Sequence, residues 1–241
     1  MTAGTTVTAP DGSEVVLGEI GTRVLLKNSR VRVWEVSLQP GEAQGWHLHH
    51  NPYVVLCLST SPCHMDWLDG SPARQLSETV GGSVYRPVSP VHMLTNDGDA
   101  LYLNRLIEVL DLGEEASGDP YFVIAGVPAE SGFDQAGELP VKVVVDEDDV
   151  RVQHVTPEAG ELPVKVVVDE DDVRVQHVTP EAGESYTWHT GAYPALVVDL
   201  DLEHPDVTYL EPGESYTLPA KPSRTSGFNL VELRYYSRPR T

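Results

Sequence analysis

Short apolar runs alternate along the chain with turn-forming residues, and almost nowhere is a helical period sustained. TRVLL, VRVWEV, YVVLCL, ALYLNRLIEVL, ALVVDL and NLVELRYY are rich in valine, leucine and tyrosine, and PG, NP, DG, GG and SP breakers separate them at short spacing. β-Branched and aromatic residues suit a pleated, half-buried surface, while glycine and proline punctuate it, so the pattern predicts an all-β sandwich or barrel. A short turn or helix is expected only around LGEEASG, residues 112–118. With 241 residues and 40% hydrophobic content, the chain can bury a sizeable core in one or two domains, at roughly 100–200 residues each.

Two repetitions lie over this pattern. Residues 136–161, AGELPVKVVVDEDDVRVQHVTPEAGE, recur without one substitution at 159–184, a period of 159 − 136 = 23. Solenoid repeats drift in sequence and need about three units to bury a continuous face, so two identical copies read as a recent duplication, or an assembly error, in the coding sequence. In each copy PVKVVV and VRVQHV flank the acidic tetrad DEDD, which predicts a hairpin with a charged turn. A calcium loop of the EF-hand kind would need a glycine and a later glutamate that are absent here.

The second repetition is fainter. At an offset of 142, residues 166–189 lie over 24–47 without a gap, matching Val31 with Val173, Arg32 with Arg174, Gly41 with Gly183, Trp46 with Trp188 and His47 with His189. Further on, an offset of 132 superposes Pro87 on Pro219 and brings Arg224 under His92. The chain therefore reads as two copies of one β fold with the duplication near their junction. Only the second copy runs in register into TWHTGAYPALVV. Residues 166–178 are thus expected to hold the strand position, and the first copy to form a peripheral hairpin or mobile loop between the two units.

Composition narrows the function. With 16 Lys+Arg against 37 Asp+Glu, the formal net charge of −21 opposes binding to a phosphate backbone or an anionic membrane surface, so neither nucleic acid nor membrane is expected as a partner. The start MTAGTTVTAPDGSEVV lacks the basic and apolar regions of a signal peptide, and no apolar run approaches the roughly 20 residues of a membrane helix, so a cytoplasmic location is expected. Cys57 and Cys63 are too few for a disulfide framework, and Cys57, inside an apolar run, is expected as a buried free thiol.

Chemistry concentrates in GWHLHHNPY, residues 45–53. His47 and His49 are two apart, so on a strand they project to one face with Tyr53, Val55 and Cys57, while His50 points the other way. His92 follows the turn PVSPVH, which can return a third imidazole to the same pocket. Three neutral nitrogen donors with open positions make the ligand count of a catalytic centre for one divalent transition metal: Fe, Zn, Ni, Mn, Co or Cu. The plainer reading leaves these histidines hydrogen bonded in a polar pocket. Tyr53 is a candidate catalytic residue or substrate contact, with packing into the barrel as its alternative role. His50 and Asn51 are expected at the rim, and Asn96 is expected to fix the turn after His92 through its side chain.

These residues resemble the cupin superfamily. Gly41, five residues, then His47 and His49 match the first cupin motif; Gly81, five residues, Pro87, then His92 and Asn96 match the second. The resemblance covers residues 24–110 well and 164–236 weakly. It implies an all-β chain of two cupin-type jelly-roll barrels, each a double-stranded β-helix: an N-terminal barrel at 20–112 with the metal site, a linker at 113–163 holding the first copy, and a degenerate barrel at 164–238. Tyr53 stands where the motif carries a glutamate, and Ser89 where it carries a glycine. Without that carboxylate a divalent ion is less neutralised, which favours an anionic ligand unless Glu35, Glu42 or Asp66 approaches. In the second half, Gly191 and Arg224 replace two donors, so no metal is expected there; Arg224 has no lone pair to give a cation and serves either as an anion contact or structurally. The resemblance implies a mononuclear metalloenzyme on a small, anionic organic molecule, of dioxygenase, isomerase or decarboxylase type. The alternative is a non-catalytic metal or small-ligand binding module. A homodimer is compatible with either.

Overall fold

A computed structural model describes residues 3–86, 88–110, 131–133, 142–147, 150–154, 164–169, 173–201, 207–221 and 227–234, with backbone alone at 142–147, 150–154 and 164–166. Arg224 and the LGEEASG segment lie outside the described residues. The chain divides into two units, Met1–Leu112 and Gly113–Thr241. Every element among the described residues is a strand, and none of them is a helix long and apolar enough to cross a membrane.

The first unit opens with a small hairpin, β1 (Thr6–Thr8) and β2 (Glu14–Val16). Two antiparallel sheets follow. One has the order β3 (Arg23–Lys27), β4 (Val31–Leu38), β11 (Tyr102–Val109), β6 (Tyr53–Ser59), β9 (Ser83–Arg86). The other has the order β5 (Ala43–His49), β10 (Ser89–Asn96), β7 (Cys63–Trp67), β8 (Arg74–Leu76). Neighbours in space are distant in sequence, as in a jelly roll.

The core follows from period-two patterning. Trp34, Val36 and Leu38 of β4 pack with Tyr53, Tyr102 and Leu106 from the same sheet and with Cys63 and Leu94 from the other. Strand β11 is central and buried at all eight positions, so its charged residues need partners. Arg105 Nη1 lies 3.2 Å from a Glu35 oxygen. Glu108 accepts from Arg32 Nε at 2.5 Å and Trp34 Nε1 at 2.9 Å. Gly41 turns the chain from β4 into β5 with φ +76°, a conformation that strains any residue with a Cβ.

In the second unit a seven-stranded sheet has the order β13 (Lys142–Glu147), β14 (Val150–His154), β15 (Val164–Asp169), β16 (Val173–Val178), β21 (Phe228–Leu233), β18 (Ala195–Asp199), β19 (Val207–Leu210). A three-stranded sheet is ordered β12 (Gly132–Phe133), β17 (Tyr186–His189), β20 (Ser215–Leu218). Val178, Trp188, Ala195, Val197, Leu218, Phe228 and Leu230, drawn from both sheets, form one apolar core.

The repeats recur as backbone geometry. β3–β4 pairs Arg23 with Glu35, Val24 with Trp34, then Leu26 with Val33 across a register shift. β15–β16 pairs Lys165 with His177, Val166 with Gln176, then Val168 with Val175, the same register and the same shift at an offset of 165 − 23 = 142. The first copy builds this hairpin again in β13–β14, pairing Lys142 with His154 and Val145 with Val152. Of the two forms expected for the first copy, a peripheral hairpin or a mobile loop, the described residues form a hairpin, and it joins the edge of the seven-stranded sheet with Gln153 opposite Val166.

Candidate metal centre

His47 and His49 reach the pocket from β5, and His92 reaches it from the neighbouring β10. Their positions depend on two irregularities in the ladder. Leu94 pairs with Gln44, but two residues along β10 His92 pairs with His47, three residues along β5, so β5 carries one extra residue at Gly45–Trp46. Beyond this pair the balance reverses. Ser89 lies opposite His49, so β10 carries the extra residue at Pro90–Val91. Such bulges re-aim side chains and tolerate glycine and proline. Each also supplies a carbonyl: His47 Nδ1 donates to Gly45 O at 2.7 Å and His92 Nδ1 to Pro90 O at 2.8 Å.

A carbonyl can only accept, so each of these Nδ1 atoms carries the proton and each Nε2 keeps its lone pair. His49 Nδ1 is buried without a protein partner. All three rings are at most 3% exposed. One ligand-capable atom from each lies within 4.8 Å of the others. Burial, reinforced by the neighbouring His92, pushes the His47 pKa down to about 4; burial with His47 and His92 pushes His49 to about 2; burial also lowers His92. The imidazoles are therefore neutral at physiological pH, the form that coordinates metal. This donor set, turned inward and largely unspent on the scaffold, fits a single divalent transition ion.

The rings open on a cavity of about 310 Å³ whose wall includes Ile20, Val36, Val55, Leu94 and Leu106. Tyr53 stacks on His49 with ring centroids 4.0 Å apart and shares a 2.6 Å hydrogen bond with Ser89 Oγ. Burial raises the Tyr53 pKa, so the phenol stays protonated. Two motif departures, Tyr53 and Ser89, thus contact each other beside the imidazoles. His50 is exposed outside this cavity, as expected, and Asn96 clamps the turn after β10. Cys57 and Cys63 are buried free thiols. Cys57, expected on the same face as the histidines, does not line their cavity; it lines a smaller one.

None of the carboxylates considered from sequence stands in for the missing glutamate. Glu35 pairs with Arg105 and Arg23, Glu42 accepts from the Gln39 backbone N–H, and Asp66 lies against His64. Sequence reasoning missed Glu78, Arg74 and Arg86, which do line the cavity. Glu78 accepts from the Tyr102 hydroxyl at 2.9 Å, and Tyr102 accepts from Asn104 Nδ2 at 2.9 Å. Arg74 and Glu78 sit outside any histidine motif; Arg74 comes to the site on β8 and Glu78 on the loop that follows it.

Among the described residues the second unit builds no equivalent. Tyr186 pairs with Leu218, Thr187 with Thr217, Trp188 with Tyr216 and His189 with Ser215, with no bulge. Counting from Tyr186–Leu218, the counterpart of Gln44–Leu94, the pair at the metal-site position is Trp188–Tyr216. Trp188 is fully buried in the core, while His189 turns to the other face with Nδ1 2.8 Å from Ser215 Oγ. This corrects the sequence match of Arg224 with His92. Strand pairing sets Tyr216 at that place.

No family model matches the chain, and no curated protein matches it. Among solved structures, it is 36% identical to a cupin domain from Bordetella pertussis Tohama I, over 36% of this chain and 88% of that one, with a TM-score of 0.33. It is also similar to a cupin 2 conserved barrel domain protein from Leptotrichia buccalis, at 14% identity over 97% of each chain and a TM-score of 0.41. AerE from Microcystis aeruginosa matches at 12% identity, over 88% of this chain and 96% of that one, with a TM-score of 0.46. The site and fold define an all-β barrel with a histidine cluster that can hold a metal ion. The chain belongs to the cupin superfamily.

Proposed function

We propose that the first barrel is a mononuclear metal site, with His47, His49 and His92 as ligands, that acts on a small anionic organic molecule. The observation that carries this reading is the convergence of three neutral imidazoles, within 4.8 Å of one another, on a cavity large enough for a ligand beside them. When bound, a divalent ion there supplies Lewis acidity and lowers the pKa of a coordinated water or enolisable substrate. The chain's own part is positional. The apolar wall excludes bulk water from the ligand, and the protonated Tyr53 hydroxyl, held by Ser89, can donate a hydrogen bond to a substrate oxygen on which negative charge develops. This is the chemical pattern of a cupin-type dioxygenase, isomerase or decarboxylase. The second barrel, with Trp188 at the corresponding place, serves as scaffold.

The test is elemental analysis of protein purified without chelator and then loaded with Co²⁺, Zn²⁺ or Fe²⁺. About one ion per chain is expected, and its loss when His47 and His49 are both changed to alanine. Protein that takes up no metal after loading refutes the site. Metal-loaded protein that consumes none of a panel of small carboxylates and enols, followed by mass spectrometry, favours the binding-module reading over the enzyme.

A further inference from the structure

The cavity is cationic inside a strongly acidic protein. The chain carries a formal charge of −21, yet the charged side chains lining the cavity are Arg74, Arg86 and the single carboxylate Glu78, a balance of 2 − 1 = +1. Arg86 lies on β9 directly opposite Tyr53 of β6. Arg74 lies on β8 opposite Met65 of β7. The two arginines therefore arrive from different sheets. Both line the same cavity wall as Tyr53, the ring that stacks on His49.

One carboxylate stands against two guanidinium groups on this wall. The Arg86 charge acts on Glu78, which already accepts the Tyr102 hydroxyl. Among the described residues no carboxylate forms an ion pair with Arg74. Arg86 is partly buried on this largely apolar wall, so its field is less screened than in bulk water, while the exposed Arg74 adds a second, more solvated positive charge. Guanidinium forks also match the two oxygens of a carboxylate in shape. Ile20, Val36, Val55, Leu94 and Leu106 leave an apolar surface for the rest of the ligand.

We infer that the cavity selects a small monocarboxylate with an apolar body, its carboxylate held by Arg74 and Arg86 beside Tyr53 and its body against the aliphatic wall. This rests on the reading of the cavity as the ligand site of the metal centre, and it names the residues that choose the ligand. Arg74 and Arg86 are specificity residues here. Neither is a metal ligand.

The experiment titrates 4-methylpentanoate and its neutral amide, 4-methylpentanamide, into the full-length protein by calorimetry at fixed ionic strength, in chelator-treated and Co²⁺-loaded forms. The wild type binds the acid about tenfold tighter than the amide in both forms. Arg74→Gln and Arg86→Gln each bring that ratio toward one by weakening the acid alone, while cobalt content stays at the wild-type value. Arg74 is exposed on a short edge strand, so its replacement leaves the core untouched even if Arg86→Gln perturbs folding. No binding of the acid, equal affinity for acid and amide, or a ratio that survives both substitutions overturns the inference. A preference seen only with cobalt present and indifferent to both arginines places the anion on the metal and also overturns it. Failure of the metal reading shows itself differently, as protein that takes up no cobalt yet keeps its acid preference.

Discussion

Asn96 ends β10 four residues after His92, and its replacement by alanine tests whether the turn there places the metal ligand. The side chain is fully buried. Its Nδ2 donates to Leu38 O at 2.9 Å and Ala100 O at 2.8 Å, and its Oδ1 accepts from Gly98 N at 3.0 Å. These bonds tie the end of β10 to the end of β4 and close the turn into β11. Truncation removes three hydrogen bonds at about 1 kcal/mol net each, or about 3 kcal/mol, and leaves two carbonyls and one N–H to find other partners. At about 4 °C per kcal/mol for a unit of this size, the first unit should unfold about 12 °C lower. Differential scanning calorimetry of the cobalt-loaded protein reads the shift, and a competition titration with a chelator reads the metal affinity. Because β10 carries His92 opposite His47, affinity should fall while stoichiometry stays at about one ion per chain. Asn96→Ser, which retains one donor and one acceptor, should lie between the two. A fall of less than about 4 °C with unchanged cobalt affinity would refute the view that this clamp sets the position of β10.

Three further outcomes are expected. His189→Ala should leave the metal content unchanged, since His189 turns away from its barrel core onto Ser215; loss of half the metal by elemental analysis would show a second site. Tyr53→Phe keeps the ring on His49 but removes the hydroxyl, so stability should change by only about 1 kcal/mol and metal content not at all, while turnover of any substrate found falls; unaltered turnover would make Tyr53 a packing residue. Deleting residues 136–158 should preserve folding and metal content, because the remaining sheet β15–β16–β21–β18–β19 repeats the order β3–β4–β11–β6–β9 of the first unit; an insoluble or metal-free product would make the first copy part of the core.

Much of this was legible in the chain itself. Period-two patterning with glycine and proline breaks marks the strands, because which face a strand residue takes is a local property. The two spaced motifs bring out His47, His49, His92 and Asn96, and the offset of 142 anticipates hairpins that recur with the same register. Tertiary structure alone decided the rest. Whether a histidine points into a barrel depends on its partner strand, and one extra residue in the ladder reverses every side chain beyond it. The same tryptophan-histidine pair thus gives a buried ligand at His47, where β5 bulges at Gly45–Trp46, and an outward residue at His189, where β17 runs unbroken and Trp188 fills the core. Nor does local sequence bring Arg74, Glu78 and Arg86 to the histidines. They come from separate segments, and only sheet closure, in which each strand's neighbour is remote along the chain, gathers them around one cavity.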